Sequence, residues 1–286
     1  MHRYYDLRKN ILKIKPDLIV SDGDMHALRL ASRWNFPSIY ITNVIRPSYG
    51  FSPILVPGER ITERYVKNCS KIVVPDNPPP YTICEYNLGN LSDVGVADKV
   101  EFVGGFINMA PIKGSESHIF ASISGPLGTR AKLKQIVIPV LSGLNIKSIV
   151  SLGEHGVKNA TKIRNCTIYT WLSLQERRKC MANAKLIIFS GGHTTCLETI
   201  RHAKPSICTP TQPEQLANAK KMQELGCSII AMNKRQLVKA IQEMEKRIDS
   251  YKKNAQKLNE YSNKFRGVER AVEIIEDVAR ISEDQL

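Results

Sequence analysis

Short apolar runs alternate with segments of helical period along most of this chain. Asp17–Ser21, Pro37–Thr42, Lys71–Val74 and Val100–Val103 read as buried strands. Helical patterns lie between them over Met25–Trp34 and Glu59–Asn68, and residues 45–57 read as a loop. An amphipathic helix is expected over residues 3–13, with Tyr5, Ile11 and Leu12 as its apolar contacts, and Pro16 stops it. The rhythm resumes at His118–Ile123, Lys147–Leu152, Thr167–Trp171, Leu186–Phe189, Ser206–Thr209 and Cys227–Met232. Helices are expected over Arg130–Leu141, Leu174–Ala182 and Ala219–Leu225, the last closed by Gly226 in the manner of a C-cap glycine. Residues 234–281 read as two helices broken near Phe265–Gly267. Strand–helix–strand spacing of this kind predicts an α/β protein with parallel sheets. Two domains are expected, over 1–105 and 118–286, joined by a polar linker over 106–117.

A length of 286 residues suits two domains of ordinary size, and 42% apolar content is normal for a globular chain. No apolar run approaches the 18 or so residues of a membrane span, and the first residues have no apolar signal region. Seven scattered cysteines without a C-x-x-C pair point to reduced thiols, hence a cytoplasmic chain, rather than a disulfide frame or zinc site. The net charge of +14 admits nucleic acid or an anionic membrane surface as partner. There is no RNA-binding signature and no basic strand interleaved with aromatics, so nucleic acid is not expected.

The densest chemistry lies at 186–218. The strand Leu186–Phe189 runs into Ser190-Gly191-Gly192, then His193, Thr194 and Thr195 at the start of a helix that carries Glu198. Glycines at such a turn let backbone N–H groups reach a phosphate, and the helix dipole favours its charge. Lys204-Pro205 ends that helix, and Pro210–Gln215 reads as a polar loop after the next strand, where open α/β sheets bind ligands. A second Gly-rich turn holds Gly125, Gly128 and Thr129 after the strand His118–Ile123, with Arg130 next to it as either a phosphate contact or an exposed cation.

The 186–218 block resembles the nucleotide-sugar signature of GT-B glycosyltransferases. The likeness is to the UDP-glycosyltransferases and the N-acetylglucosaminyltransferases of cell-wall lipid synthesis. The resemblance implies two Rossmann-like domains with a cleft between them and transfer of a sugar from a UDP-sugar to a hydroxyl acceptor, which in part of the family is lipid-linked. It implies that Gly192, Thr194, Thr195 and Glu198 hold diphosphate and ribose, that Glu214 and Gln215 hold sugar hydroxyls with Asn218 behind them, and that the turn at Gly125, Gly128 and Thr129 faces the phosphates. Trp171 matches a base-stacking Trp, with Gln175 as the Gln that follows it one position off. Leu172 and Ser173 are the alternative backbone contacts to uracil, and a core role for Trp171 stays open. Many members carry a His before the Gly pair; this chain has Ser190 there, with His193 in a different slot.

Asp22 matches an Asp that orients a catalytic His, and it could equally cap the helix at Met25, as could Asp24. The domain's first βα units, which would carry that His, do not match. Either the chain is a fragment, or a second polypeptide supplies that half, or a shortened domain has lost catalysis. His26 is a weak stand-in. No protein-bound metal or cofactor is implied. A UDP-N-acetylglucosamine 2-epimerase is the alternative of similar fold, but it pairs two Glu residues where Glu198 stands alone. A donor-binding subunit is the third reading. The last helix, Val272–Ile281, is expected to cross back to the first domain.

Overall fold

The computed structural model describes residues 2–49, 56–107, 114–154, 156 and 158–283. The chain divides into two compact units, Met1–Phe106 with Phe265–Leu286 and Ile107–Lys264. Parts of the expected 45–57 loop and of the 106–117 linker lie outside the described residues.

The first unit runs α1 (His2–Ile14), β1 (Ile19–Asp22), α2 (Met25–Trp34), β2 (Ser38–Ile41), α3 (Val56–Lys67), β3 (Lys71–Val74), α4 (Glu85–Leu88), α5 (Leu91–Val94) and β4 (Val100–Phe102). The four strands form a parallel sheet in the order β1-β2-β3-β4. On α1 only Ile11 of the three expected contacts is buried; Tyr5 and Leu12 are 56% and 51% exposed. Tyr4 and Leu7 join Ile11 instead, against Leu30 and Ala31 of α2. Positions 4, 7 and 11 share one helical face, and positions 5 and 12 lie about 100° away from it. Asp24, not Asp22, caps α2: its carboxylate accepts from the His26 N–H at 2.9 Å and from Arg3. After β3 the buried Asp76 accepts the N–H groups of Asn77 and Cys84, at 2.7 and 2.8 Å, and so pins the turn between them.

The second unit runs β5 (His118–Ser122), α6 (Leu127–Gly143), β6 (Ser148–Ser151), β7 (Ala160–Ile163), β8 (Cys166–Tyr169), α7 (Leu174–Ala182), β9 (Ala184–Phe189), α8 (His193–Arg201), β10 (Ser206–Cys208), α9 (Pro213–Glu224), β11 (Ser228–Ile230), α10 (Lys234–Lys246) and α11 (Ile248–Ser262). Its sheet has the order β11-β10-β9-β5-β6-β8-β7 and is parallel except for β7. Strand β7 has four exposed residues and no apolar pattern, so nothing in its sequence marks it; pairing with β8 alone defines it. The apolar face carried by Ile119, Val150, Leu186 and Ile188 packs on α6 and α10.

Helix boundaries depart from expectation in four places, the first being α3, which starts at Val56 rather than Glu59. Helix α6 starts three residues early, at Leu127, so Gly128 and Thr129 occupy its first turn. Helix α9 starts at Pro213 rather than Ala219, which moves Glu214 and Gln215 out of a loop and onto a helix. Proline suits that first turn because its missing N–H would have no partner there. The C-terminal stretch is three helices, since Arg247, at φ −124°, separates α10 from α11. The third, α12 (Gly267–Glu283), packs with the first unit, as expected of the last helix, although the expected 118–286 domain includes it. Its Ala271, Ile274 and Val278 pack against Ile39, Val73 and Val103. Among the described residues no helix is long and apolar enough to cross a membrane. All seven cysteines are free thiols; burial pushes those of Cys208 and Cys227 up to about 12.

Candidate functional site

Strand order fixes where a ligand can sit in the second unit. From β5 the chain builds outward through β6 and β8, then returns to add β9, β10 and β11 on the other side of β5. The neighbours β5 and β9 therefore send their following turns in opposite directions, and a crevice opens at their carboxyl ends. Both Gly-bearing turns expected from the sequence leave the sheet at this point.

After β9, Ser190 and Gly191 are buried and Gly192 is half-buried. Gly191 has φ +91°, and a Cβ on it would stand 2.5 Å from the Gln215 carbonyl oxygen. Only glycine fits there. Its carbonyl accepts from Asn218 Nδ2 at 3.0 Å, which ties the turn to α9. Gly192 differs: the nearest atom to a Cβ would be Ser190 Oγ, at 3.8 Å. It opens α8 without a side-chain cap, and Thr194 is exposed at the first turn while His193 and Thr195 are buried. An uncapped helix start presents N–H groups and the positive end of the dipole together.

Glu198 lies one turn further and is 7% exposed. Its Oε1 pairs with Arg177 Nη1 of α7, and Arg177 Nη2 donates to Ser122 Oγ at the end of β5, at 3.3 Å. Arg177 was not singled out in the sequence, where it sits in a charged run, QERRK, that reads as a solvated helix face. Only the packing of α7 turns it inward.

Thr129 Oγ1 lies 3.1 Å from Thr211 Oγ1, which donates to Gln215 Oε1 at 3.0 Å; the Thr211 N–H donates to the same oxygen at 3.0 Å. The first turn of α6 and the first turn of α9 are thus joined by one hydrogen-bonded relay. Glu214 is half-buried beside Gln215. Gly125, at φ +102°, and Gly128 are exposed at the start of α6, which also lacks a side-chain cap. Arg130 is not an exposed cation; its Nη1 donates to the Gly153 carbonyl at 2.8 Å and braces the end of β6.

The uracil candidates fare differently. Trp171 is half-buried just beyond β8, Leu172 is buried, and Gln175 is exposed. Ser173 is committed to a capping box on α7: its hydroxyl accepts from the Glu176 N–H, and its own N–H donates to Glu176 Oε2 at 2.9 Å. Its side chain and N–H are therefore spoken for. The bond from Lys158, then those from Ser173, hold the Glu176 carboxyl down at about 2. In the first unit, Asp22 is exposed at the carboxyl end of edge strand β1, and exposed His26 stands edge-on to Tyr4 with ring centroids 6.1 Å apart.

Comparison with known proteins fits this geometry. The model of the glycosyltransferase family 28 C-terminal domain matches residues 134–276. An uncharacterized glycosyltransferase of Methanosarcina mazei is 27% identical over 238 residues, and one of Methanosarcina acetivorans is 26% identical over 242. These matches cover 76% and 77% of this chain and 61% of each relative, so the chain spans under two thirds of their length. Among solved structures, the glycosyltransferase of kitacinnamycin superposes with a TM-score of 0.70 at 16% identity, covering 97% of this chain and 79% of that one. Spinosyn rhamnosyltransferase SpnG complexed with thymidine diphosphate gives 0.68 at 12% identity, covering 96% and 76%. With the family model spanning half of its residues and the fold matched over nearly its whole length, the chain belongs to the glycosyltransferase family 28 C-terminal domain family and has the GT-B fold.

Proposed function

We propose that the β5/β9 crevice binds a nucleoside diphosphate sugar, UDP-linked, and that the protein transfers the sugar to a hydroxyl acceptor. The observation that carries this is the uncapped start of α8 behind Gly191-Gly192, with Glu198 held beside it by Arg177. N–H groups, the helix dipole and the Thr194 and Thr195 hydroxyls would take the diphosphate. Arg177 occupies one Glu198 oxygen, and the other would accept from a ribose hydroxyl. Gln215, held through Thr211, and Glu214 would read the sugar. The acceptor hydroxyl gives its proton to a general base, and its oxygen forms a bond to the anomeric carbon as the bond to the diphosphate oxygen breaks. The electron pair leaves on the diphosphate, where the α8 N–H groups meet it. Asp22 is the carried-over candidate for orienting a base. The solved SpnG complex holds a thymidine diphosphate, which makes base selectivity the first thing to test.

The +14 net charge favours an anionic membrane surface near a lipid-linked acceptor on the cytoplasmic side. Within this reading the diphosphate needs no protein-bound metal. The lone Glu198 followed by Gln215 and Asn218 favours transfer over epimerisation. A second reading makes this chain the donor-binding part of an enzyme completed by another polypeptide. It draws on β1, a parallel strand at an open sheet edge with Val20 43% exposed, where such sheets are ordinarily covered.

Titration calorimetry with UDP, GDP and thymidine diphosphate on the wild type and Glu198→Gln tests the donor site. Selective UDP binding that weakens in the variant supports it; no nucleotide binding by a folded wild type overturns it.

A further inference from the structure

The first unit holds a pocket of about 410 Å³ lined by Arg46, Ser48, Arg60, Glu63, Asn90 and Asp93. It lies where the chain leaving β2 meets the first turns of α3. Its wall is rigidly built. The Ile45, Arg46 and Ser48 N–H groups donate to the carbonyls of Asn87, Leu88 and Tyr86 at 3.0, 3.2 and 2.7 Å. Glu63 is 6% exposed and held by a two-pronged bond from Arg46, Nε to Oε1 at 2.6 Å and Nη2 to Oε2 at 2.7 Å. That bond keeps the Glu63 carboxyl below the usual range, so it stays ionised. Arg60 and Asp93 are exposed at the mouth. Asn90 fixes α5 by accepting from the Ser92 and Asp93 N–H groups.

Two guanidinium groups and two carboxylates line this space, so their charges cancel. A pocket for phosphate would carry an excess of cations. What remains is a dense alternation of strong donors and strong acceptors, which suits a ligand whose groups each donate and accept. A pyranose has that chemistry. Tyr49 adjoins the lining residue Ser48 in the chain, and the Tyr86 carbonyl accepts the Ser48 N–H; the two rings are half-buried, with centroids 5.6 Å apart. Such rings offer an apolar face to the C–H side of a sugar.

We infer that this pocket binds a sugar residue, so that the acceptor presents a carbohydrate head to the enzyme. This rests on the glycosyltransferase reading for its role but not for its chemistry. The test is saturation-transfer NMR with glucose and with N-acetylglucosamine, inorganic phosphate as competitor, and UDP titrated into the same samples. The wild type and the double variant Arg60→Ala/Asp93→Ala are compared, since both side chains are exposed and neither belongs to the Arg46–Glu63 pair. The expected result is sugar binding by the wild type, about tenfold weaker in the variant as two charged hydrogen-bonding groups are lost, with UDP binding unchanged. Sugar binding that is absent in the wild type, or equal in both proteins, overturns the inference. So does binding of phosphate in place of sugar. UDP binding without sugar binding defeats this inference alone; sugar binding without UDP binding defeats the donor site and leaves the pocket standing.

Discussion

Arg177 and Glu198 form a nearly buried ion pair across α7 and α8, with side chains 18% and 10% exposed. A carboxylate one turn inside α8, beside the site proposed for the diphosphate, needs such a counter-charge. Without it, Glu198 would repel the diphosphate and sit uncompensated in a dry site. The pair balances the charge of Glu198 with that of Arg177.

Removing one partner should therefore cost more than removing both. Arg177→Met should lower stability by about 3 kcal/mol, because it strands a buried charge. The double variant Arg177→Met/Glu198→Leu should recover most of that loss and bind UDP no better than background. Chemical denaturation of both variants, with the Glu198 single variant closing the cycle, measures the coupling. A double-variant loss equal to the sum of the two single-variant losses would mean that the pair is not coupled.

The two neighbouring glycines should separate folding from binding. Gly191→Ala forces a side chain into the left-handed region against the Gln215 carbonyl, at a cost of about 3 kcal/mol. Gly192→Ala, at φ −62° with only an ordinary contact to Ser190 Oγ at 3.8 Å, should fold normally and weaken UDP binding about tenfold by crowding the phosphate approach. Thermal melts and calorimetry on the two variants check this, and a poorly folded Gly192→Ala would contradict it.

Thr211→Val removes the hydroxyl that joins Thr129 to Gln215 and leaves the Thr211 N–H in place. Stability should fall by about 1 kcal/mol. Affinity for a UDP-sugar should drop while that for UDP alone holds, because Gln215 is assigned to the sugar. Parallel titrations of the two ligands decide it; equal losses would move Gln215 away from the sugar.

His202 predicts a pH dependence. Burial first, then Lys204 and nearby arginines, push its pKa down to about 4 from an ordinary 6.5. Between these values the unfolded chain binds the proton that the folded chain refuses. The neutral ring's contribution is thus fully present above about pH 6.5, and it is lost as pH falls toward 4. His202→Gln should flatten the melting temperature against pH over that window. An unchanged slope would assign the acid sensitivity to other groups.

The apolar runs alone placed the strands from β1 to β6 and from β8 to β11 to within two residues at each end, because a buried parallel strand must be nearly all apolar. Strand β7 left no such mark, since its residues face water and only the backbone of β8 selects its conformation. The Gly191-Gly192 turn, Thr194, Thr195 and Glu198 were legible as a group, because they share one turn and one helix and local spacing fixes their arrangement. Of the two cap candidates, Asp24 serves and Asp22 does not for a local reason: Asp24 is two residues closer to the helix and receives Arg3 from α1.

Sequence by itself determined the α/β class, the glycosyltransferase resemblance and the phosphate-type turn, all of which follow from contiguous residues. Tertiary structure decided the rest. It put Arg177 on Glu198 and Thr129 on Thr211. Each of these joins residues far apart in the chain, through packing directions that local periodicity does not encode.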